Sequence, residues 1–460
     1  MKGLVRNRKR LARLAATAAM AVVYAGQSAP AAPGETAPTY EQLQKRVEQL
    51  EARLGQIESQ KPAGGDPRAI DAAVAGAQPD AQRRSQFLAT GDITSGYDKG
   101  FFLRSQDGNF LFKPSVQFQF RGVANYNDPG EGGDDETVSG FEVRRARFRF
   151  DGNVISPKLT YSFVWDTNRA GGGVTLLDAW AQYQFAPDWA VKLGQFKESV
   201  FHEKDVSGFS QLAVDRTLVD TILGGNQTDR VQGVALVYGG IKENHLRAEL
   251  ALHDGANSKN TDFRDLVPGA TPTAAPVFDA DYGVGGRVEY RFFGDWASHK
   301  DFTAKNTKEN LLVLGAGADF TQAGDVDVLR TTVDAQFETP TGWGLYGALH
   351  GNFTDTGADD RFDWGAVAQV AYLFRPAWEV FARYDVVAFD DDFATDDLFN
   401  EFAIGFNHYL GDNGSAVHRA KVTVDVLYLP DGAPSNQTGI GVLAGNDDQF
   451  VLRAQFQLLL

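Results

Sequence analysis

From about Gly100 to Leu460, apolar and polar residues alternate in short runs broken by turn residues. Residues 115–126 set the pattern, with Val116, Phe118, Phe120 and Ala124 interleaved with Gln117, Gln119, Arg121 and Asn125. On an extended chain these two sets point to opposite faces. In 141–150, Ala146, Phe148 and Phe150 oppose Arg145, Arg147 and Arg149. In 246–253, Leu246, Ala248, Leu250 and Leu252 oppose Arg247, Glu249 and His253. In 284–293, Val284, Val288, Tyr290 and Phe292 oppose Arg287, Glu289 and Arg291. Segments 329–338, 378–386, 420–428 and 450–458 repeat the event. There are about sixteen such segments of roughly 10 residues, the length a tilted strand needs to cross a bilayer. An even number lets an antiparallel sheet close on itself and leaves no edge.

Connection lengths also alternate. The links 152–158, 186–188, 339–342 and 375–377 are short, and 127–140, 199–228, 255–281 and 430–447 are long. One place departs: 294–310 is long where a turn is due, and 323–325 is short where a loop is due. Aromatic residues mark segment ends at Tyr126, Trp165, Trp189, Trp343, Trp364, Trp378 and Tyr428, the placement expected at the two membrane interfaces. A soluble sandwich or propeller alternates too, but its core would not tolerate several charges per strand. The expected fold is all-β, a transmembrane antiparallel β-barrel of about sixteen strands over 99–460, preceded by a short N-terminal coiled-coil helix.

Ahead of the barrel lie three different segments. Lys2, Arg6, Arg8, Lys9, Arg10 and Arg13 precede an apolar stretch and a small, proline-rich zone, the pattern of a secretory signal over 1–31. Within 32–62, Leu43, Val47, Leu50, Leu54 and Ile57 recur at 4-3-4-3 spacing and form one seam. Such a stripe buries itself by self-association, which predicts an oligomerising coil in the periplasm; a single helix lying on another surface is the alternative. Residues 63–98 read as a flexible linker.

Composition narrows the function. The chain of 460 residues carries 44 Lys and Arg against 60 Asp and Glu, a net charge of −16, which speaks against a nucleic-acid partner. With no cysteine, disulfide scaffolds, thiolate metal sites and cysteine nucleophiles are excluded. The 49 Gly, 33 Phe, 14 Tyr and 7 Trp suit many strands and turns. His202, His245, His253, His299, His350, His408 and His418 are scattered without metal-ligand spacing, and no Ser–His–acid set is evident. Neither an enzyme, a cofactor nor a metal centre is expected.

The chain resembles the phosphate-selective porin O/P family. The likeness rests on Gly100-Phe101-Phe102-Leu103-Arg104-Ser105 followed by Asp107-Gly108-Asn109-Phe110, on Arg144-Arg145-Ala146-Arg147, and on Asp178-Ala179-Trp180. Gly194-Gln195-Phe196-Lys197-Glu198, Trp378-Glu379 with Ala382-Arg383-Tyr384, and Gly405-Phe406-Asn407-His408-Tyr409-Leu410 continue it in order. The resemblance implies a sixteen-stranded trimeric outer-membrane porin with an arginine-lined pore, some relatives being selective for phosphate or polyphosphate. It also implies a third loop folded inward. The sequence departs from the usual outer-membrane pattern in finishing on Leu460 instead of Phe, although Leu460 keeps the apolar phase.

Alternation assigns Arg121, Arg145, Arg147, Arg149, Lys192, Arg230, Arg247, Arg287, Arg291, Arg330, Arg383, Lys421 and Arg453 to the lumen. The same faces carry Asp166, Asp178, Glu249, Glu289, Asp334, Glu338, Glu379, Asp385, Glu401 and Asp425. Arginines favour anions because their fork meets phosphate oxygens bidentately, whereas a lattice of paired charges would stiffen the wall without selecting a solute. The connection 199–228, with His202, Lys204, Asp205 and Arg216, and Lys197 just before it, is the expected constriction. Outer loops are acidic, at Asp128–Glu136 and Asp390–Asp397, and these solvated carboxylates oppose multivalent anions at low salt. The expected function is a trimeric porin passing small hydrophilic solutes, with a preference for phosphate or other anions. Its partners are a homotrimer, outer-membrane lipid and lipopolysaccharide, and the cell wall through the coil. A non-selective pore and a structural tether to the cell wall remain open.

Overall fold

The computed structural model describes residues 93–460 except 99, 129–135, 168–170, 226–229, 240–243, 257, 259–281, 393–395, 436, 438–439 and 445–446. The signal segment and the coil seam lie outside the described residues. A short hairpin comes first, β1 (Ile93–Tyr97) and β2 (Phe101–Ser105). Sixteen strands follow: β3 (Leu111–Asp128), β4 (Glu136–Asn153), β5 (Leu159–Thr167), β6 (Val174–Gln184), β7 (Trp189–Phe196), β8 (Val231–Tyr238), β9 (Leu246–His253) and β10 (Tyr282–Phe293) form one half. The other half is β11 (Leu311–Ala323), β12 (Val326–Glu338), β13 (Trp343–Asp355), β14 (Asp360–Arg375), β15 (Trp378–Ala388), β16 (Leu398–Tyr409), β17 (Ala420–Leu429) and β18 (Asp447–Leu459). Each pairs antiparallel with the next, and β18 pairs with β3, with Phe456 opposite Phe120 and Gln455 opposite Arg121. The barrel therefore closes at sixteen strands. Leu460 extends the seam by exchanging both backbone hydrogen bonds with Val116, at 3.1 and 2.9 Å.

The linker reading of 63–98 is corrected at its end. Ile93–Tyr97 is a strand, paired with Phe101–Ser105 from Ile93 opposite Ser105 to Tyr97 opposite Phe101. Its short Ile-Thr-Ser-Gly-Tyr run is brief for periodicity to register, and a partner four residues away supplies what local pattern lacks.

Alternation along each strand sorts side chains as the pleat requires. Along β18, Phe450, Leu452, Ala454 and Phe456 face outward while Gln449, Arg453, Gln455 and Gln457 are buried within. Charged groups point inward because the outer band meets hydrocarbon, where an unpaired charge is costly. Aromatic pairs stud the outside, among them Trp343 on Tyr372 at 4.5 Å and Trp189 on Tyr238 at 4.9 Å between ring centres. No described helix is long and apolar enough to cross a membrane.

The irregular pair of connections leaves the strand count unchanged. Between β11 and β12 the chain reverses at Gly324-Asp325, where the positive φ of 60° at Gly324 suits a residue without Cβ. The connection 294–310 between β10 and β11 folds inward at the rim where the described chain begins and ends. Trp296, His299, Phe302 and Ala304 are buried there. Thr303 Oγ1 donates to Glu379 at 2.7 Å, and Gln336 Nε2 donates to the Asp301 carbonyl at 2.6 Å.

The channel lumen as candidate functional site

The long connection after β7 enters the barrel and stays there. Two residues before the end of β7, Gly194 has a φ of 120°, and a Cβ there would lie 2.2 Å from the Ala179 carbonyl oxygen. The chain then makes a helical turn at His202–Asp205 and a wider one at Asp220–Gly225. Val206, Leu212, Ala213, Leu218, Val219 and Leu223 from this loop pack with Phe302 against Tyr346, Ala348, Val367, Phe381, Val387, Phe399 and Leu427 of the wall. The inward face of β13–β17 is thus partly apolar, contrary to a wholly polar lumen, because the loop's own apolar residues need a dry partner. The run of Val, Phe and Leu in 199–228 was the signal for this packing. The last long connection also turns inward, with Ile440 and Val442 buried in the same cluster. Inward charges that keep solvent access, Arg147, Arg149, Asp151, Asp166, Lys192 and Glu249, lie on the other side, on β4, β5, β7 and β9.

Polar anchors fix the loop at intervals. Lys421 Nζ donates to the Gln211 carbonyl at 2.5 Å, and Gln457 Nε2 donates to the Phe209 carbonyl at 2.8 Å. Val214 N–H donates to Asp425 at 2.9 Å, and Val219 N–H donates to Asp385 at 3.2 Å. Arg216 closes the helical turn by donating to the carbonyls of Glu203, Lys204 and Val206 at 3.0, 3.2 and 2.8 Å. Lys197 Nζ reaches the Lys204 and Asp205 carbonyls at 3.0 and 3.1 Å. His202 Nε2 meets Gln336 Oε1 at 2.8 Å.

Asp215 is the central anchor. Its carboxylate accepts from Arg121, from Arg144 Nε at 3.2 Å and from Arg145 Nη2 at 3.1 Å. Burial opposes the charged form, yet the guanidiniums of Arg144, Arg121 and Arg145 hold the carboxyl well below the usual carboxylate range. Strict alternation would place Arg144 outside. A bulge in β4, where Gln119 opposes Arg145 and Phe120 opposes Val143, leaves Arg144 as the extra residue and lets it face inward. Sequence periodicity misses this residue because a bulge interrupts the period of two.

The remaining assigned arginines face inward, most with a carboxylate partner. Arg147 pairs with Asp166 at 2.8 Å and Arg149 with Asp151 at 2.5 Å. Arg287 is held by Asp334 at 2.7 Å and Glu289 at 2.8 Å, Arg330 by Asp319 at 3.2 Å, Arg383 by Glu401 at 2.5 Å and Arg453 by Asp425 at 2.7 Å. Lys192 and Glu249 pair at 2.7 Å. Arg247 lies over the Trp296 ring at 4.2 Å, and Arg291 donates to the Gly294 carbonyl at 2.8 Å. The buried members close off the wall; Arg149 at 39%, Arg147 at 19% and Arg144 at 19% side-chain exposure are among those that border open space.

Inside the loop, Glu203 accepts from the Thr217 N–H at 3.0 Å and the Thr217 hydroxyl at 2.7 Å. Burial, helped by nearby Asp220, pushes its carboxyl up to about 7. Burial likewise raises Asp205 to about 6, despite the Ser199 hydroxyl bond. A raised folded-state value means that docking is strongest below the ordinary value of 4.5 for Glu203 and weakens as pH climbs through about 7. Single-channel noise is expected to increase between pH 4.5 and about 7, and Glu203→Gln should remove the larger part of that increase, leaving the Asp205 share. An unchanged noise profile in the variant would reject Glu203 as the titrating group.

The fold brings some of the histidines beside carboxylates. Among the described residues, His202, Glu289 and His299 converge, as do Glu198, His253 and Asp319. Their separations along the chain are large, so no spacing motif could reveal them.

A closed sixteen-strand barrel with an inward loop and charged inner wall defines an outer-membrane channel for small solutes. The profile of the phosphate-selective porin O and P family matches residues 116–420, and the chain belongs to that family. No curated protein sequence matches the chain at a significant level. Among solved structures, an anion-selective porin from Comamonas acidovorans is similar at 14% identity and a TM-score of 0.53, over 76% of this chain and 100% of that one. Salmonella typhi OmpF in complex with daunomycin is similar at 16% identity and a TM-score of 0.51, over 79% of this chain and 100% of that one. At such identities the likeness speaks for the barrel fold.

Proposed function

We propose that the chain forms a homotrimeric, water-filled channel in which the loop after β7 narrows the passage and inward arginines favour anions, phosphate among them. One observation carries the reading. At the junction of β3, β4 and the loop, Arg121, Arg144 and Arg145 converge on the carboxylate of Asp215, and Glu142 also pairs with Arg121. Positive charge is left over where Arg144 meets open space, and a guanidinium fork suits oxyanions. The paired arginines elsewhere temper the preference, so its expected strength is modest. In this reading the seam of Leu43, Val47, Leu50, Leu54 and Ile57 is a periplasmic trimerising coil, 32–62, joined to the barrel by a linker that ends before Ile93. The Comamonas protein is described as anion-selective, which accords with the proposal.

The test is the reversal potential of purified channels in a planar bilayer under a KCl gradient, repeated with phosphate. An anion-directed potential and a chloride current reduced by phosphate are expected. A potential at zero or of cationic sign would overturn the anion reading and leave a non-selective pore.

A further inference from the structure

On the inner wall, one pair of opposite charges faces across two strands and stays open. Arg247 of β9 stands directly across from Glu289 of β10, and two residues along, Glu249 stands across from Arg287. Side chains opposed in this way on an antiparallel pair start about 4.5–5.5 Å apart at Cβ, close enough for an ion pair. Arg247 and Glu289 nevertheless form none among the described residues, because each is drawn elsewhere.

Arg247 lies over the ring of Trp296 at 4.2 Å. That ring is buried and fixed by its Nε1, which donates to the Asn244 carbonyl at 2.7 Å. A cation–π contact eases the charge but occupies no N–H donor. Among the described residues Arg247 donates no hydrogen bond and makes no ion pair, so its guanidinium fork is left for whatever enters the lumen. Glu289 uses one oxygen only. Its Oε1 accepts from Arg287 Nε at 2.8 Å and lies 3.2 Å from His299 Nε2, while Oε2 has no hydrogen bond among the described residues. Arg287 is also held by both oxygens of Asp334, at 2.7 Å each, so Glu289 keeps part of its negative charge. The neighbouring Glu249 is closed by contrast, with both oxygens on Lys192 Nζ at 2.7 Å.

A cavity of about 250 Å³ lies between these strands and the root of the loop after β7, bordered by Ser199, Gly239, Arg247, Glu249, Arg287 and Glu289. It is large enough for a small solute, and its wall presents one uncommitted cation beside one half-committed carboxylate. A simple anion would gain Arg247 but meet the charge of Glu289. A simple cation would gain Glu289 but meet Arg247. A molecule carrying both charges a short distance apart satisfies both groups, and a few placed polar groups around a small space are what fix a ligand's orientation.

We propose that Arg247 and Glu289 form a lumen subsite for small α-amino acids, with the carboxylate on the Arg247 guanidinium and the ammonium on Glu289. Carboxylate and guanidinium meet bidentately, and the ammonium donates to the open Oε2. A zwitterion lodged there narrows the passage while it stays. The subsite rests on the lumen being a solute channel and is independent of which ion that channel prefers.

Glycine and alanine are the probes, added to intact purified channels in a planar bilayer while KCl carries the current. Both should lower the current reversibly and saturably. Acetate and ethylamine, each with only one of the two charges, should block far less at the same concentration. Arg247→Gln and Glu289→Gln should each weaken the glycine block at least about tenfold, the effect of losing one charge-assisted hydrogen-bond partner. Arg247 has no ion pair to lose, so Arg247→Gln reads the subsite without unpicking the wall. A conducting wild-type channel that ignores glycine and alanine would overturn the proposal. Equal block by acetate would reduce the site to an anion contact and overturn the amino-acid assignment. Block of full strength in both variants would place the solute elsewhere and overturn it as well. A folded protein that conducts no ions is a different result: it would overturn the channel reading, and the subsite with it.

Discussion

Asp215→Asn is expected to raise anion preference and to loosen the loop after β7 in one step. Among the described residues, the substitution withdraws the only carboxylate that Arg144 and Arg145 contact by ion pairs, leaving Arg121 with Glu142. The guanidiniums of Arg144 and Arg145 then stand on a largely buried wall without that carboxylate. Removing one partner of a buried ion pair costs about 3–5 kcal/mol, because the other charge is left without compensation. Part of that cost is relieved if the loop swings away and admits water, so the loss divides between stability and a wider, noisier pore. The reversal potential should move in the anion direction, and the temperature at which the folded channel gives way to the unfolded monomer in gel assays should fall. An unchanged potential together with unchanged noise would show that Asp215 governs neither selectivity nor loop position.

The double substitution Arg147→Glu and Arg149→Glu should reverse the sign of selectivity. Both side chains face the open half of the lumen and both are partly exposed, so each substitution alters charge that a passing ion meets. Each replacement exchanges a positive for a negative group, and the two new carboxylates stand beside Asp166 and Asp151. Charge rings at a constriction set the preference of a channel, and screening within about 8 Å at physiological salt confines the effect to the narrow region. A cation-directed reversal potential under a KCl gradient is the expected result. Retention of anion preference would place the selective step at Arg144 and the loop, away from these two strand positions. Stability should change little by comparison, since exposed pairs contribute only about 0–1 kcal/mol each.

These two sites differ in how visible they were beforehand. Arg147 and Arg149 obey the period of two, so their inward direction follows from the residues between them. Asp215 lies in a connection, where no periodicity operates, and its partners lie 94, 71 and 70 positions away. Arg144 belongs to the family-like Arg144-Arg145-Ala146-Arg147 run, yet a bulge decides which way it points. The linker boundary failed for a related reason: five residues are short for a pattern, and pairing with β2 decides their state.

What the sequence determined by itself is the barrel. Alternation, segment length and an even strand count are each local or countable properties, and closure follows because a membrane tolerates no unpaired strand edge. It also determined which faces carry charge, since the pleat leaves only two directions. The tertiary structure alone decided how the lumen is divided. Apolar residues of the inward loop seek the apolar inner face of β13–β17, and that choice leaves the solvent-accessible inward charges on β4, β5, β7 and β9. It alone decided which carboxylate neutralises which arginine, and it brought His202 against His299 from opposite rims. Such contacts depend on loops whose course is set by packing inside a closed wall, and packing is a property of the assembled surfaces, with no period along the chain to announce it.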